Sequence, residues 1–247
     1  MIEAVLSYHM NPYTCGVAKF NRRLARELGV PCLHLRTHLA TRKHVLVSIK
    51  PSEIESDDKD FDWLVKSYDL LLHERPGWPP DHRKYQRATQ IYYADELGCP
   101  STVEGDPTRG DYRVLVFGMA HKLLLPHFQD LKVQLDNENP GYTIELSTAV
   151  HEGSPWDETI EESIYAMTRI FGDRLRVLGF LGDDALAKEL QDVDAVAAFY
   201  HPALRANNTS AWAAVAAGKK LYTNRDEHSP DITNPPTWKQ LVETFRA

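Results

Sequence analysis

Cysteine is scarce in this chain, at 3 of 247 residues. Cys15, Cys32 and Cys99 are odd in number and none has metal-type spacing. That excludes a disulfide-built framework and a zinc ribbon, and it fits a reduced, cytoplasmic compartment. No other metal-ligand motif is present, so no metal is expected. Long hydrophobic runs are missing too: no stretch reaches the roughly 18 consecutive apolar residues of a membrane-spanning helix, and no membrane span is expected. The N-terminus enters the apolar run IEAVLSY with no charged leader, so no secretory signal is expected either. The overlapping sequons at Asn207 and Asn208 are therefore expected to stay unglycosylated. Positive charge is in the minority: 28 Lys and Arg against 35 Asp and Glu give a net charge of −7. This speaks against a general nucleic-acid or anionic-membrane surface. Low-complexity tracts and tandem repeats of fixed period are absent, which leaves out repeat architectures.

What is present, 43% hydrophobic and 26% charged residues, suits a globular protein of one large or two small domains. The chain runs through two rounds of alternating strand and helix signals of about 100 residues each, the pattern of βαβ units on parallel sheets. In the first round, residues 2–8 read as a buried strand. Val17, Phe20, Leu24 and Leu28 recur at helical spacing, with Gly29 as the residue that ends the helix. Strands are expected at 31–36, 44–49, 69–73 and 90–93, with a helix through Phe61, Leu64 and Val65. The Pro- and Gly-rich stretch 98–111 reads as a linker.

The second round opens with a strand at 113–119, followed by a helix at 121–135 and a strand at 142–150. An acidic amphipathic helix is expected at 157–171 and a strand at 175–181. A closing helix is expected at 237–246. The fold class expected is α/β, with two small Rossmann-like doubly wound parallel-sheet domains facing a cleft. Their boundaries are 1–105 and 106–236, with a closing C-terminal helix at 237–247.

Residues 179–224 organise this second half. They read as a strand end, a short helix, the apolar strand 195–200, a polar loop, a small-residue helix, Gly218 and one more strand. Between Tyr200 and the small-residue helix lies ANNTS, which puts small polar side chains and unpaired backbone N–H groups at a helix N-terminus. Such a terminus suits an anion, because the dipole and the free donors both point at it.

The stretch GFLGDDALAKELQDVDAVAAFY, followed by WAAVAAGKKLYT, resembles the C-terminal domain of retaining GT-B glycosyltransferases of the group 1, family 4-like kind. VLVFGMAHK (114–122) is similar to the strand, glycine and cationic residue that open the same domain. NPYTCGVAKFNRRLARELG resembles the family's first loop and helix, and DLLLHE (69–74) its strand ending in histidine. The resemblance implies transfer of a sugar from a nucleotide-diphosphate donor to an acceptor the sequence does not specify, with retention and without a metal. It implies no cofactor beyond the nucleotide-sugar co-substrate. Gly16 and Gly118 would let backbone approach the donor. Lys122 and Arg205 would neutralise the leaving diphosphate. Asn208, Thr209 and Ser210 would donate at the helix N-terminus, Phe180 and Leu181 would hold the nucleobase, and His73 would face the sugar.

The chain departs from the family at its Glu-x7-Glu pair: Arg205 stands where the first glutamate belongs and Ala213 where the second does. The alternative reading is therefore a non-catalytic GT-B-like module that binds a nucleotide, a glycan or a partner subunit. Nucleic acid is disfavoured as a partner by the net charge, and the oligomeric state is left open.

Overall fold

Ala4, Val5, Leu6 and Ser7 are fully buried, as a strand covered on both faces must be, and they form β1 (Ala4–Ser7). The structure, a computed structural model, describes residues 2–12, 16–35, 45–49, 69–72, 89–90, 111–119, 123–149, 160–205, 208–233 and 237–246. The chain divides into two units, Met1–Ala94 with Pro236–Ala247, and Asp95–Pro235.

In the first unit, α1 (Gly16–Leu28) turns Val17, Phe20 and Leu24 inward. It ends as expected at Gly29, whose φ of +72° suits glycine. The Gly29 N–H donates to the Arg26 carbonyl at 3.1 Å and the Val30 N–H to the Ala25 carbonyl at 2.9 Å, which is a Schellman closure. The sheet is completed by β2 (Cys32–His34), β3 (Val45–Ile49), β4 (Asp69–Leu72) and β5 (Thr89–Gln90). Its order is β2-β1-β3-β4-β5, and neighbouring strands run parallel. The expected helix through Phe61, Leu64 and Val65 lies outside the described residues, as does most of the expected linker.

In the second unit, β6 (Arg113–Met119) is followed by α2 (Leu125–Glu138), β7 (Thr143–Ala149) and α3 (Ile160–Phe171). A 3₁₀ turn, Gly172–Arg174, leads into β8 (Leu175–Val177) and α4 (Asp183–Asp192). Then come β9 (Ala195–Ala197), α5 (Thr209–Ala216) and β10 (Lys220–Tyr222). The sheet order is β10-β9-β6-β7-β8, again with parallel neighbours. Val114, Val116, Ile144 and Leu146 meet Phe128, Leu131, Leu135, Met167 and Phe171 from α2 and α3 in the core. At its centre, Phe128 stands edge-on to Phe199 at 5.0 Å and to Phe171 at 6.4 Å between ring centroids.

Several elements differ from expectation for visible reasons. The helix expected at 121–135 starts at Leu125, because Pro126 sits in its first turn, where a missing N–H costs nothing. The strand expected at 175–181 stops at Val177: the Leu178 N–H still reaches the Leu146 carbonyl at 2.8 Å, but Gly179, with φ +71°, turns the chain out of the sheet. The strand expected at 195–200 keeps its ladder only to Ala197.

The last element, α6 (Trp238–Arg246), belongs to the first unit. Trp238 packs on Phe20 of α1 with ring centroids 5.2 Å apart, and the Arg23 guanidinium lies 5.5 Å above the Trp238 ring. Among the described residues no helix is long and apolar enough to cross a membrane.

Candidate functional site

In the second unit the chain lays β7 and β8 on one side of β6, then crosses back to place β9 and β10 on the other. The order therefore reverses between β6 and β9. In open parallel sheets a crevice forms at such a switch, outside the carboxyl ends of the strands. The two strands also part early: β6 pairs with β7 from Arg113↔Thr143 to Met119↔Ala149, but with β9 only at Val114↔Ala195 and Leu115↔Val196.

Gly118 lies near the carboxyl end of β6 with φ +133°, a conformation that L side chains rarely adopt. A Cβ built there would meet nothing within 4 Å, so the glycine is set by its backbone and the space beside it is open. Next to β6, the segment after β9 is held by Asn224. Its Oδ1 accepts the Tyr200 N–H at 2.8 Å, and its Nδ2 donates to the carbonyls of Tyr200 at 2.7 Å and Pro202 at 3.1 Å. The Leu204 N–H donates to the Asn224 carbonyl at 3.0 Å. The segment contains the cis peptide His201–Pro202.

This clamp leads the chain to α5. Asn208 is its N-cap by position, yet the Asn208 side chain makes no bond to the helix amides. Its Oδ1 accepts the Arg205 N–H at 2.6 Å instead. The Ser210 Oγ lies 2.6 Å from the Tyr200 hydroxyl, a phenol whose pKa is pushed up by burial. Thr209 and Ser210 thus form a first turn whose positive end faces the carboxyl edge of the sheet. Gly218 closes the helix with φ +70° in a second Schellman arrangement, its own N–H on the Val215 carbonyl and the Lys219 N–H on the Ala214 carbonyl, both at 2.9 Å.

Arg205 was expected on a leaving diphosphate. The structure buries it, at 6% exposure, and sets its terminal nitrogens on Asp226, Nη1 to Oδ1 at 2.8 Å and Nη2 to Oδ2 at 2.6 Å. Nη1 also donates to the Leu204 carbonyl at 2.8 Å. The hydrogen bond from Arg205 holds the Asp226 carboxyl at a pKa of about 2. Ala213, which stands where the family's second glutamate belongs, is also buried, at 3% exposure. Phe180 and Leu181 sit on the loop between β8 and α4, Phe180 largely exposed and Leu181 half-buried. This loop leaves the same sheet edge two strands from β6, roughly 10 Å away at ordinary strand spacing. Gly16 is the first residue of α1 in the other unit. Lys122 and His73 lie outside the described residues.

Sequence reasoning missed Asn224, Asp226 and Tyr200. The first two follow an edge strand and carry no local signal beyond that of turn residues. His127, in the first turns of α2, was also missed; its ring stacks on Phe199 with centroids 5.2 Å apart.

No family model matches the sequence, and no curated protein matches it. Among solved structures, the fold is similar to that of HepE from Anabaena, determined in complex with UDP and glucose. The TM-score is 0.52 at 12% identity, over 99% of this chain and 88% of that one. An O-GlcNAc transferase from Thermobaculum terrenum gives a TM-score of 0.49 at 11% identity, over 98% of this chain and 58% of that one. The C-terminal domain of a glycosyl transferase group 1 family protein from Francisella tularensis gives 0.34 at 16% identity, over 55% of this chain and 73% of that one. Of these, the HepE likeness bears on the fold. With the two parallel sheets it bears out the α/β, Rossmann-like, GT-B class of architecture expected from the sequence.

Proposed function

We propose that the protein is a glycosyltransferase that moves a sugar from a nucleotide-diphosphate donor to an acceptor still to be identified. The observation that supports this most is the switch between β6 and β9, with open space beside Gly118 near the carboxyl end of β6 and the N-terminal turn of α5 on the chain that follows β9. Helix dipole and first-turn amides stabilise a diphosphate there, with Asn208, Thr209 and Ser210 around it. Lys122 adds the cation that the leaving group needs. Phe180 and Leu181 offer an apolar contact for the base. Gly16 and His73 remain candidates, for the phosphates and the sugar of the donor. HepE, of similar fold, was solved with UDP and glucose, which supports a uridine sugar as the first donor to try. We further take the reaction to be retaining and metal-independent, and the setting to be cytoplasmic.

A second reading, a binding module without turnover, is favoured by one arrangement. Neither position of the missing glutamate pair offers a carboxylate: Arg205 is paired to Asp226 and Ala213 is buried.

A thermal-shift panel of UDP, GDP, CMP and dTDP sugars tests the first step, since a ligand at 100 times its dissociation constant stabilises by about 2.7 kcal/mol. Release of nucleoside diphosphate over a panel of acceptors then separates enzyme from module. Turnover that survives Lys122→Ala at full rate would count against the assigned chemistry. The anomeric configuration of the product and the effect of EDTA on rate decide retention and metal independence.

A further inference from the structure

The arginine that precedes α5 lies inside the protein. Arg205 lies three residues before the N-cap Asn208 and is buried, and it grips Asp226 with both terminal nitrogens. Asp226 is itself fixed: its N–H donates to the Ser229 hydroxyl at 3.0 Å, while its Oδ1 accepts the His228 N–H at 3.0 Å and the Ser229 hydroxyl at 3.2 Å. The Arg205 main chain does the rest. Its N–H donates to Asn208 Oδ1 at 2.6 Å, and its carbonyl accepts the Asn208 N–H at 3.1 Å. An N-cap asparagine ordinarily turns its oxygen onto the helix amides. Here that oxygen is drawn away, and the first-turn amides of α5 are not capped by it.

We infer that Arg205 and Asp226 are positioning residues: their fork fixes residues 198–205 and the N-cap of α5 so that the helix amides, and not the guanidinium, receive an anionic ligand. The identity of the ligand rests on the glycosyltransferase reading; the positioning does not. A guanidinium with both ends on one carboxylate is a poor ligand for phosphate. Freeing it would require breaking two charge-assisted hydrogen bonds that leave the buried guanidinium unpaired.

The test compares Asp226→Asn, Arg205→Met and the double substitution Arg205→Met with Asp226→Leu. Hydrogen exchange in the absence of ligand reads the amides of Leu204, Arg205 and Asn208. Isothermal titration reads UDP. Asp226→Asn should speed exchange at those amides by at least about tenfold, the scale of one charge-assisted hydrogen bond. It should weaken UDP binding by a similar factor. The double variant removes both charges together, so that the buried guanidinium is not left without its carboxylate. It should restore both protection and UDP affinity to within about threefold of the parent protein. UDP affinity lost equally in Arg205→Met and the double variant would show that the guanidinium touches the ligand and overturn the inference. Unchanged exchange in Asp226→Asn would overturn it as well. Should Asp226→Asn fail to fold, the double variant alone decides through the same two readings. Should UDP fail to bind the parent protein, the donor assignment falls, and exchange still decides the positioning.

Discussion

Asn224 holds Tyr200 by both of its main-chain groups, its Oδ1 on the N–H at 2.8 Å and its Nδ2 on the carbonyl at 2.7 Å. A side chain from the end of one strand thus takes over the pairing that the ladder of β9 gives up. Asn224→Ala should lower the unfolding free energy by about 3 kcal/mol, three neutral hydrogen bonds, to the Tyr200 N–H and to the carbonyls of Tyr200 and Pro202, at about 1 kcal/mol each. Asn224→Asp, which keeps the acceptor and loses the donor, should fall between. Urea denaturation measures both, and a loss below experimental error in Asn224→Ala would show that the clamp is incidental.

Gly118 and Gly182 make a paired test. Gly118→Ala forces a side chain into φ +133° and should cost about 1–3 kcal/mol, although the space around it is open. Since the cost is conformational, Gly118→Ser should match Gly118→Ala. Gly182 is the N-cap of α4 at φ −66° and ψ 167°, also with nothing within 4 Å of a built Cβ. Gly182→Ser should be stabilising by a few tenths of a kcal/mol. Thermal melts that ranked the two positions the other way would refute the backbone argument.

Phe128 links core and site, because it supports Phe199 directly before the clamped segment. Phe128→Ala should cost about 3–5 kcal/mol through the cavity it leaves. Phe128→Leu should cost less, on the order of 1 kcal/mol. If the inward ring matters to the site, Phe128→Leu should also raise the exchange rate at Tyr200, read at a temperature well below its melting point.

Two carboxylates shift in opposite directions and act in separate windows of pH. Asp226 is held at about 2, first by the hydrogen bond from Arg205. A lowered folded pKa stabilises above the unfolded value of about 3.9, and that contribution is lost as the pH falls towards 2. Glu189 is raised, first by burial and then by neighbouring Glu145. A raised folded pKa stabilises fully below the unfolded value of about 4.3, and that contribution fades as the pH rises through the folded value. Melting temperature should therefore climb from pH 2 to about 4 through Asp226 and decline above that through Glu189. Glu189→Gln should flatten the upper limb alone. An upper limb of unchanged slope in Glu189→Gln would assign it to another group.

What could be read from the sequence was what neighbouring residues decide. β6 spans 113–119 as expected, and Gly29 and Gly218 close their helices through bonds made within a few residues. The small polar run before α5 was likewise recognisable as a helix N-terminus. What could not be read depends on partners far along the chain. The ladder of β9 yields to Asn224, 24 residues beyond Tyr200, and the charge of Arg205 is met by Asp226, 21 residues on. An arginine in a polar loop looks open to a ligand until its partner is known. The early end of β8 rests on the positive φ of Gly179, which the apolar run around it concealed.

The packing of Trp238 on Phe20 has a consequence for how the chain is made. Residues 95–235 interrupt the first unit in sequence, so α1 waits for α6 until those residues have been synthesised. During vectorial synthesis the second unit can fold as a continuous segment, whereas the first keeps an apolar face of α1 uncovered until α6 has left the ribosome. A polypeptide released after residue 235 would therefore carry a complete second unit and an incomplete first one.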